Sequence, residues 1–131
     1  VTTQQIEGQI FVMVDAIADR RQKKALELYY DLLALKEPPM RILFLIMRHF
    51  RILLTVKAMS NQGFAAREIA SKAGCPEWAL KKTYLRQSRS FSVERIRQAL
   101  QDGVAYEEAV KTGHMNDRMA VELLIVGYSS T

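Results

Sequence analysis

Residues 38–59 of this 131-residue chain read PPMRILFLIMRHFRILLTVKAM, from Pro38 to Met59. Two consecutive prolines cannot continue a preceding helix, but proline is well tolerated in the first turn of a new one. The segment therefore predicts a helix from about Pro38 to Met59. Its first half, Ile42 to Met47, is apolar on every side. A helix with this pattern belongs at the centre of a bundle, and this decides the fold class.

Apolar residues recur at helical spacing on both sides of the central segment, and no strand pattern interrupts them. We predict an all-α fold, a single bundle of about seven helices with short connections. The predicted helices besides the central one are a first ending near Ala18, a second opened by a capping box at Asp19 and Gln22 and ending near Lys36, a fourth over Ala65 to Ala73, and three that begin at Pro76, at Ser90 or Ser92, and at Asn116.

The same periodicity predicts which side chains face the core of the later helices. Trp78 on the fifth helix and Val104 on the sixth are expected to be buried. Gly103 lies in the middle of the sixth helix, where it costs about 1 kcal/mol relative to alanine and weakens the prediction of an unbroken helix. The residues expected to be buried on the last helix are Met119, Leu123, Leu124 and Val126.

Length and composition favour one globular domain that needs neither disulfides nor metals to bury a core. The single cysteine, Cys75, excludes an internal disulfide and suits a cytoplasmic protein. The longest apolar run, Ile42 to Met47, is far shorter than the roughly 20 residues of a membrane span, so no contact with a membrane is expected. The chain starts at Val1 instead of methionine, so residues 1–131 are expected to be one domain excised from a longer protein.

The net charge of +5 is unevenly distributed along the chain. Residues 41–97 hold twelve lysines and arginines against three glutamates, whereas the two ends hold seven basic and eleven acidic residues. A basic centre of this kind is typical of contact with nucleic acid or with the acidic face of a partner. Solvated helix faces would give the same pattern.

Residues Gly63 to Lys82 match the pattern of a helix-turn-helix, with Ala70 and Gly74 at the positions that allow a tight turn. One interpretation is therefore a DNA-binding transcriptional regulator, with Lys81, Lys82, Arg86 and Arg89 in contact with phosphates. A recognition helix needs polar side chains early, where they meet base edges. This one begins Pro76-Glu77-Trp78, which favours helix packing over base recognition.

No pattern in the sequence points to an enzyme. His49 and His114 lie on different predicted elements without a cysteine, histidine or carboxylate at a ligand spacing, so neither a metal site nor a cofactor is expected. A solvated or capping role is the expectation for both histidines. Cys75 has no neighbouring histidine to activate it and is expected to be an inert thiol.

The order of short motifs along the chain resembles the C-terminal domain of the delta subunit of bacterial DNA polymerase III, a clamp-loader subunit. The resemblance spans nearly the whole chain, with two mild departures: His49 where glutamine is common, and Glu107 where aspartate is usual. The motifs that carry it are Ile10-Phe11, Val14-Asp15-Ala16-Ile17, Lys24-Ala25-Leu26, Leu32-Leu33, Glu37-Pro38-Pro39, Ile42-Leu43, Arg48, Phe50-Arg51, Leu53-Leu54, Lys57, Glu68-Ile69-Ala70, Leu80-Lys81-Lys82, Val110-Lys111-Thr112-Gly113 and Glu122-Leu123-Leu124.

The resemblance implies a non-catalytic scaffold. In that family the C-terminal domains of five subunits pack into a ring-shaped collar, and the complex loads the sliding clamp onto DNA during replication. The implied partners are the gamma or tau subunits and delta-prime. The sliding clamp would be reached only through N-terminal domains that are absent from this sequence, and the expected location is the bacterial cytoplasm.

Three cations of the central helix are candidates for contact with neighbouring subunits: Arg48, Arg51 and Lys57. Their spacings of three and six residues suggest one stripe along the helix. Arginine suits such a surface because its planar fork pairs with carboxylates. The alternative is an internal ion pair of this stripe with Asp15 or Glu27. Weak, nonspecific DNA contact by Lys81, Lys82, Arg86 and Arg89 stays open as an accessory role.

Overall fold

The computed structural model describes residues 2–130, and this part of the chain folds into seven helices without a strand. This confirms the predicted fold class. The helices are α1 (Thr3–Ala18), α2 (Gln22–Ala34), α3 (Pro39–Asn61), α4 (Ala66–Ala73), α5 (residues 77–88), α6 (Val93–Lys111) and α7 (Asp117–Ser129).

Helix α3 lies at the centre of the bundle, as its apolar sequence predicts. It packs against α1, α4, α5, α6 and α7. Ile42, Leu43, Ile46 and Leu53 are fully buried along it. Helix α2 completes the bundle by packing on α1 and α7. The core is therefore continuous, and one long helix contributes to most of its contacts.

Gly103 lies in the contact between α6 and α3. A Cβ atom at this position would be 2.8 Å from Sδ of Met47 on α3. Helix α6 continues without a break through Gly103, so the weakening expected from glycine does not interrupt it. The glycine is explained by this contact, because a Cβ atom here would force the buried side chain of Met47 to shift.

Most helix ends follow the local signals of the sequence. Ser92 accepts a hydrogen bond from the backbone amide of Arg95, and Asn116 caps α7 in the same manner. The capping box predicted at Asp19 is wrong. Asp19 instead ends α1, since its amide still bonds to the carbonyl of Asp15, and Arg20 then takes a left-handed φ of 60°.

Helices α4 and α5 form the tight pair that the sequence predicts between Gly63 and Lys82. Gly74 has a φ of 78°, and its amide bonds to the carbonyl of Ala70 to end α4. Helix α5 then begins with an α-helical turn and passes through a π-helical turn at Leu80–Tyr84, where the amide of Leu85 bonds to the carbonyl of Leu80. Residues 85–88 return to α-helical geometry.

The predicted core faces of α6 and α7 are wrong at four of their residues. Helix α6 buries Ile96, Ala99 and Gly103, which leaves Val104 57% exposed. Helix α7 buries Leu124, as predicted, and with it Val121 and Ile125. Because α7 carries two apolar stripes, its period does not say which one faces inward. The residues on the outer stripe are Met119, Leu123 and Val126, all exposed.

Substitution of the packed glycine tests its role in the approach of α3 and α6. We expect Gly103→Ala to lower the free energy of unfolding by about 1 kcal/mol. Overpacking against buried Met47 typically costs about 1–3 kcal/mol, which outweighs the gain of about 1 kcal/mol in helix propensity. Urea denaturation followed by circular dichroism measures the change.

Gly8 provides the matched control, because it also lies inside a helix but is exposed, and a Cβ atom added there would have no neighbour within 4 Å. Gly8→Ala is expected to stabilise the protein by up to about 1 kcal/mol. Equal stabilisation by the two substitutions would contradict the proposed packing role of Gly103.

Candidate interaction surfaces

Helix α3 presents one exposed face to solvent, which we call the arginine face: Arg41, Phe44, Arg48 and Arg51. These residues are separated by three or four positions, so they lie along one side of the helix. All four are exposed, and the phenyl ring of Phe44 is 54% exposed at the centre of the face. The arginine face therefore combines an apolar side chain with a row of cations.

The charges of the arginine face are neutralised unequally. Helix α3 contains no aspartate or glutamate, so any carboxylate must come from elsewhere in the chain. Nη1 of Arg48 lies 3.1 Å from Oε1 of Glu7 on α1, and Nε of Arg41 lies 3.7 Å from Oε2 of Glu37. Arg51 makes neither an ion pair nor a side-chain hydrogen bond within residues 2–130.

Lys57 does not share this face, so the single stripe predicted for the three cations is wrong. Nine residues separate Lys57 from Arg48, which places them on opposite sides of a helix with 3.6 residues per turn. Nζ of Lys57 donates to the carbonyl oxygen of Ser88 at 2.9 Å and thereby holds the end of α5. The internal pair predicted with Asp15 or Glu27 is also wrong, because the carboxylate that meets Arg48 belongs to Glu7.

A groove of about 520 Å³ runs beside the arginine face, between α1, α3 and the turn that joins α4 to α5. Phe11, His49 and Tyr84 form part of its lining, with ring centroids 4.8–5.1 Å apart. Arg48 and Trp78 also line it. The groove thus has an aromatic lining and both apolar and charged residues around it.

A buried polar chain joins this groove to the protein surface. Gln87 is 0% exposed, and its amide contacts three other residues. Its Oε1 accepts from Nε2 of His49 at 2.5 Å, while its Nε2 donates to Oδ1 of Asp15 at 2.5 Å and to the carbonyl oxygen of Phe11 at 3.2 Å. At the surface, both carboxylate oxygens of Asp15 accept from the guanidinium of Arg86, at 3.0 and 3.2 Å.

Gln87 also fixes the position of α5 in the bundle. A fully buried amide is costly unless its donor and acceptor groups are satisfied. Here His49, Asp15 and the carbonyl of Phe11 satisfy them, and these residues belong to α3 and α1. The contacts tie α5 to both helices and fix the groove between them.

His49 is buried in this chain, so the expected solvated or capping role is wrong. Because an amide oxygen only accepts, the imidazole donates through Nε2 and is held in one neutral tautomer. Burial lowers the pKa of His49 to about 4, an effect that the hydrogen bond to Gln87 and the charge of Asp15 only partly oppose. His114 is exposed, with Nδ1 2.8 Å from Oγ1 of Thr112.

The four basic candidates for DNA contact lie on α5 or directly after it, but two of them are already paired. Lys81 lies 3.1 Å from the carboxylate of Glu77, and Arg86 is bound by Asp15. Lys82 and Arg89 are exposed and make no ion pair in the part of the chain that the structure describes. The free cationic charge of this region is therefore smaller than the sequence suggests.

Trp78 is exposed, and its predicted burial is wrong. Helix α5 buries Ala79 and Leu80, and Trp78 lies two residues before Leu80, about 200° around the helix axis. The indole is consequently 67% exposed at the first turn of α5, beside the groove. This turn offers Glu77 and Trp78 to solvent, where a recognition helix would offer side chains that read bases.

Phe44 and Trp78 are the surface residues that sequence reasoning missed. Phe44 lies inside an apolar run, where no periodic signal distinguishes an outer position from an inner one. Its spacing from Arg41 and Arg48 is a signal that could have found it. Among residues 2–130 the structure contains no group of three side chains that could hold a metal ion, and none of its helices is long and apolar enough to cross a membrane.

The fold and these surfaces define a small all-α domain with apolar side chains on two exposed helix faces. The sequence profile of the family described as "DNA polymerase III delta subunit, C-terminal domain" matches residues 7–128. The chain belongs to this family, which confirms the resemblance noted in its motifs.

A sequence match and a structural match support this assignment. DNA polymerase III subunit delta of Bacillus subtilis is 30% identical over 121 residues, which are 92% of this chain and 35% of that protein. The solved structure of the Bacillus subtilis DNA clamp loader delta protein superposes with a TM-score of 0.88 at 29% identity, covering 95% of this chain and 36% of that one. The chain thus spans about a third of the length of these relatives.

The buried imidazole makes a testable prediction about pH. Its pKa is lowered in the folded state, so the folded protein binds fewer protons than the unfolded chain between the ordinary value of 6.5 and about 4. We expect the contribution of His49 to the free energy of unfolding to be fully present above pH 6.5. It should be lost as the pH falls toward 4, which lowers the free energy of unfolding by about 3 kcal/mol in total. Urea denaturation at a series of pH values measures it.

His49→Gln should flatten this part of the pH profile, because it removes the group whose pKa is lowered by burial. A nuclear magnetic resonance titration of the folded protein gives an independent check. An imidazole of His49 that titrates near pH 6.5 would contradict its burial as a neutral group.

Proposed function

We propose that this domain is the scaffold of a DNA polymerase III delta subunit, packing with the corresponding domains of other clamp-loader subunits into a collar. The observation that carries the proposal is the family match over residues 7–128. The fold supports it, because rigid helices expose apolar side chains on two faces, α3 and α7. Exposed apolar patches with polar rims are typical of interfaces between proteins.

The proposed partners are the gamma or tau subunits and delta-prime. The sliding clamp would be bound by other domains of the longer subunit, since this chain covers about a third of its relatives. The domain itself would be non-catalytic and would act in the bacterial cytoplasm, a location that suits the free thiol of Cys75. Its contribution would be a fixed anchor for the motor domains of the complex.

Arg48 and Arg51 are proposed as subunit contacts, because both are exposed on the arginine face. Lys57 is better explained as an internal support of α5, given its hydrogen bond to the carbonyl of Ser88. The outer stripe of α7, formed by Met119, Leu123 and Val126, is a second surface that a neighbour would cover. Two separate faces suit a domain that packs between two neighbours in a ring.

Assembly tests the scaffold function directly. The 131-residue chain, mixed with the gamma or tau and delta-prime subunits of the same organism, is expected to form a complex at micromolar concentration, because apolar surface is removed from water. Native mass spectrometry gives the composition of the complex. No complex under these conditions would count against the scaffold function.

Weak DNA contact by α5 is a second, accessory function, and the exposure of Trp78 favours it. An exposed indole next to cations is a typical platform for stacking an unpaired base. Lys82 and Arg89 supply cations that no carboxylate of the described residues neutralises. Lys81 and Arg86 would contribute less, since each already pairs with a carboxylate. A transcriptional regulator built on Gly63 to Lys82 is not favoured, because its reading helix opens with Pro76, Glu77 and Trp78.

Trp78 is the only tryptophan of the chain, so its fluorescence reports this surface alone. We expect single-stranded DNA to quench the emission with weak affinity, and the affinity to fall as salt rises because phosphate contacts release counterions. The double variant Lys82→Glu, Arg89→Glu should lose the effect, while the control Lys24→Glu on α2 should keep it. Unchanged quenching in the double variant would exclude these cations, and tight duplex binding would favour the regulator.

A further inference from the structure

We propose that the arginine face is the docking surface for an acidic helix of a neighbouring subunit, with Phe44 as its apolar anchor and Arg51 as the cation that pairs with a partner carboxylate. The proposal rests on the scaffold function and adds to it the surface, the anchor and the chemistry of the partner.

Phe44 has the properties of an interface anchor. Its ring is 54% exposed, although the helix that carries it contains ten buried residues. Because α3 is fixed by packing on its other sides, little backbone freedom is lost when a partner covers the ring. Aromatic side chains buried at the centre of an interface often carry a large share of the binding energy.

The charges around Phe44 indicate which chemical groups a partner would need. The 23 residues of α3 include no carboxylate. Arg41 pairs with Glu37 and Arg48 with Glu7, whereas Arg51 makes no ion pair or side-chain hydrogen bond within residues 2–130. A planar guanidinium offers two parallel donors to a carboxylate, so an aspartate or glutamate is the matching group on the partner.

The arrangement favours a protein helix over nucleic acid on this face. A phosphate backbone is bound by several free cations in a row, but two of the three arginines here are already paired with carboxylates. Arg51 has no carboxylate partner among the described residues, and it shares the face with the exposed phenyl ring of Phe44. This combination suits an amphipathic helix that carries a single row of acidic residues. The residues of the arginine face are spaced by three and four positions, which is the spacing that a packed helix meets.

Binding between the complete subunits tests the docking surface. Affinity for the gamma or tau and delta-prime subunits is measured by isothermal titration for the wild type and for Phe44→Ala, Arg51→Glu and Arg51→Lys. We expect the first two variants to bind about tenfold more weakly or worse, a loss typical of interface anchors. The affinity of Arg51→Lys should lie between that of these variants and that of the wild type, because lysine retains the positive charge but lacks the planar guanidinium group.

Two exposed residues away from this face serve as controls. Val12→Ala on α1 removes apolar surface and Lys24→Glu on α2 reverses a charge, and both should bind as the wild type does. Phe44 and Arg51 are exposed, so their variants should unfold at the temperature of the wild type, which circular dichroism checks. A loss of binding can then be assigned to the surface and not to misfolding.

Each result separates this proposal from the scaffold function. Tight binding by the wild type and equal binding by Phe44→Ala and Arg51→Glu would overturn the docking surface and leave the scaffold function in place. No binding by the wild type would overturn both. Unchanged subunit affinity with a loss of DNA binding in Arg51→Glu would assign the face to nucleic acid and overturn the proposal.

Discussion

The burial of α3 is the constraint on which the rest of the domain depends. Its apolar first half is surrounded by helices, and this is possible only where a neighbour can come close. Gly103 allows α6 to do so, because it leaves room for the side chain of Met47. Once the other sides of α3 are covered, the exposed residues of its first half are those of the arginine face. The position of Phe44 and the three arginines is therefore a consequence of how the core is filled.

Helix positions are predictable from the sequence because local chemistry marks their ends. Pro38 and Pro39, Gly74, and the caps Ser92 and Asn116 all act within a few residues of a boundary. Burial is less predictable, since it depends on distant partners. Helix α7 has two apolar stripes, and the choice between them is made by packing on α2, α3 and α6.

The candidate interaction surfaces also combine features that local sequence predicts with features that depend on distant residues. Arg48 and Arg51 share a face, as their spacing of three residues predicts. Lys57 lies nine residues after Arg48, which rotates it to the opposite side of the helix. The burial of His49 requires Gln87, which is 38 residues further along the chain. Phe44 could not be recognised as exposed inside an apolar run, because its neighbours in three dimensions decide its exposure.

The ion pair of Arg86 and Asp15 places one end of the buried polar chain in contact with solvent, and this has a thermodynamic consequence. A phosphate that engages Arg86 competes with Asp15, whose carboxylate also orients the amide of Gln87 and, through it, the imidazole beside the groove. Because Oδ1 of Asp15 accepts from both Arg86 and Gln87, the ion pair at the surface and the buried amide share one carboxylate oxygen. By reciprocity, any ligand whose affinity for the groove changes when Asp15 is released from Arg86 changes the affinity of Arg86 for an anion by the same factor.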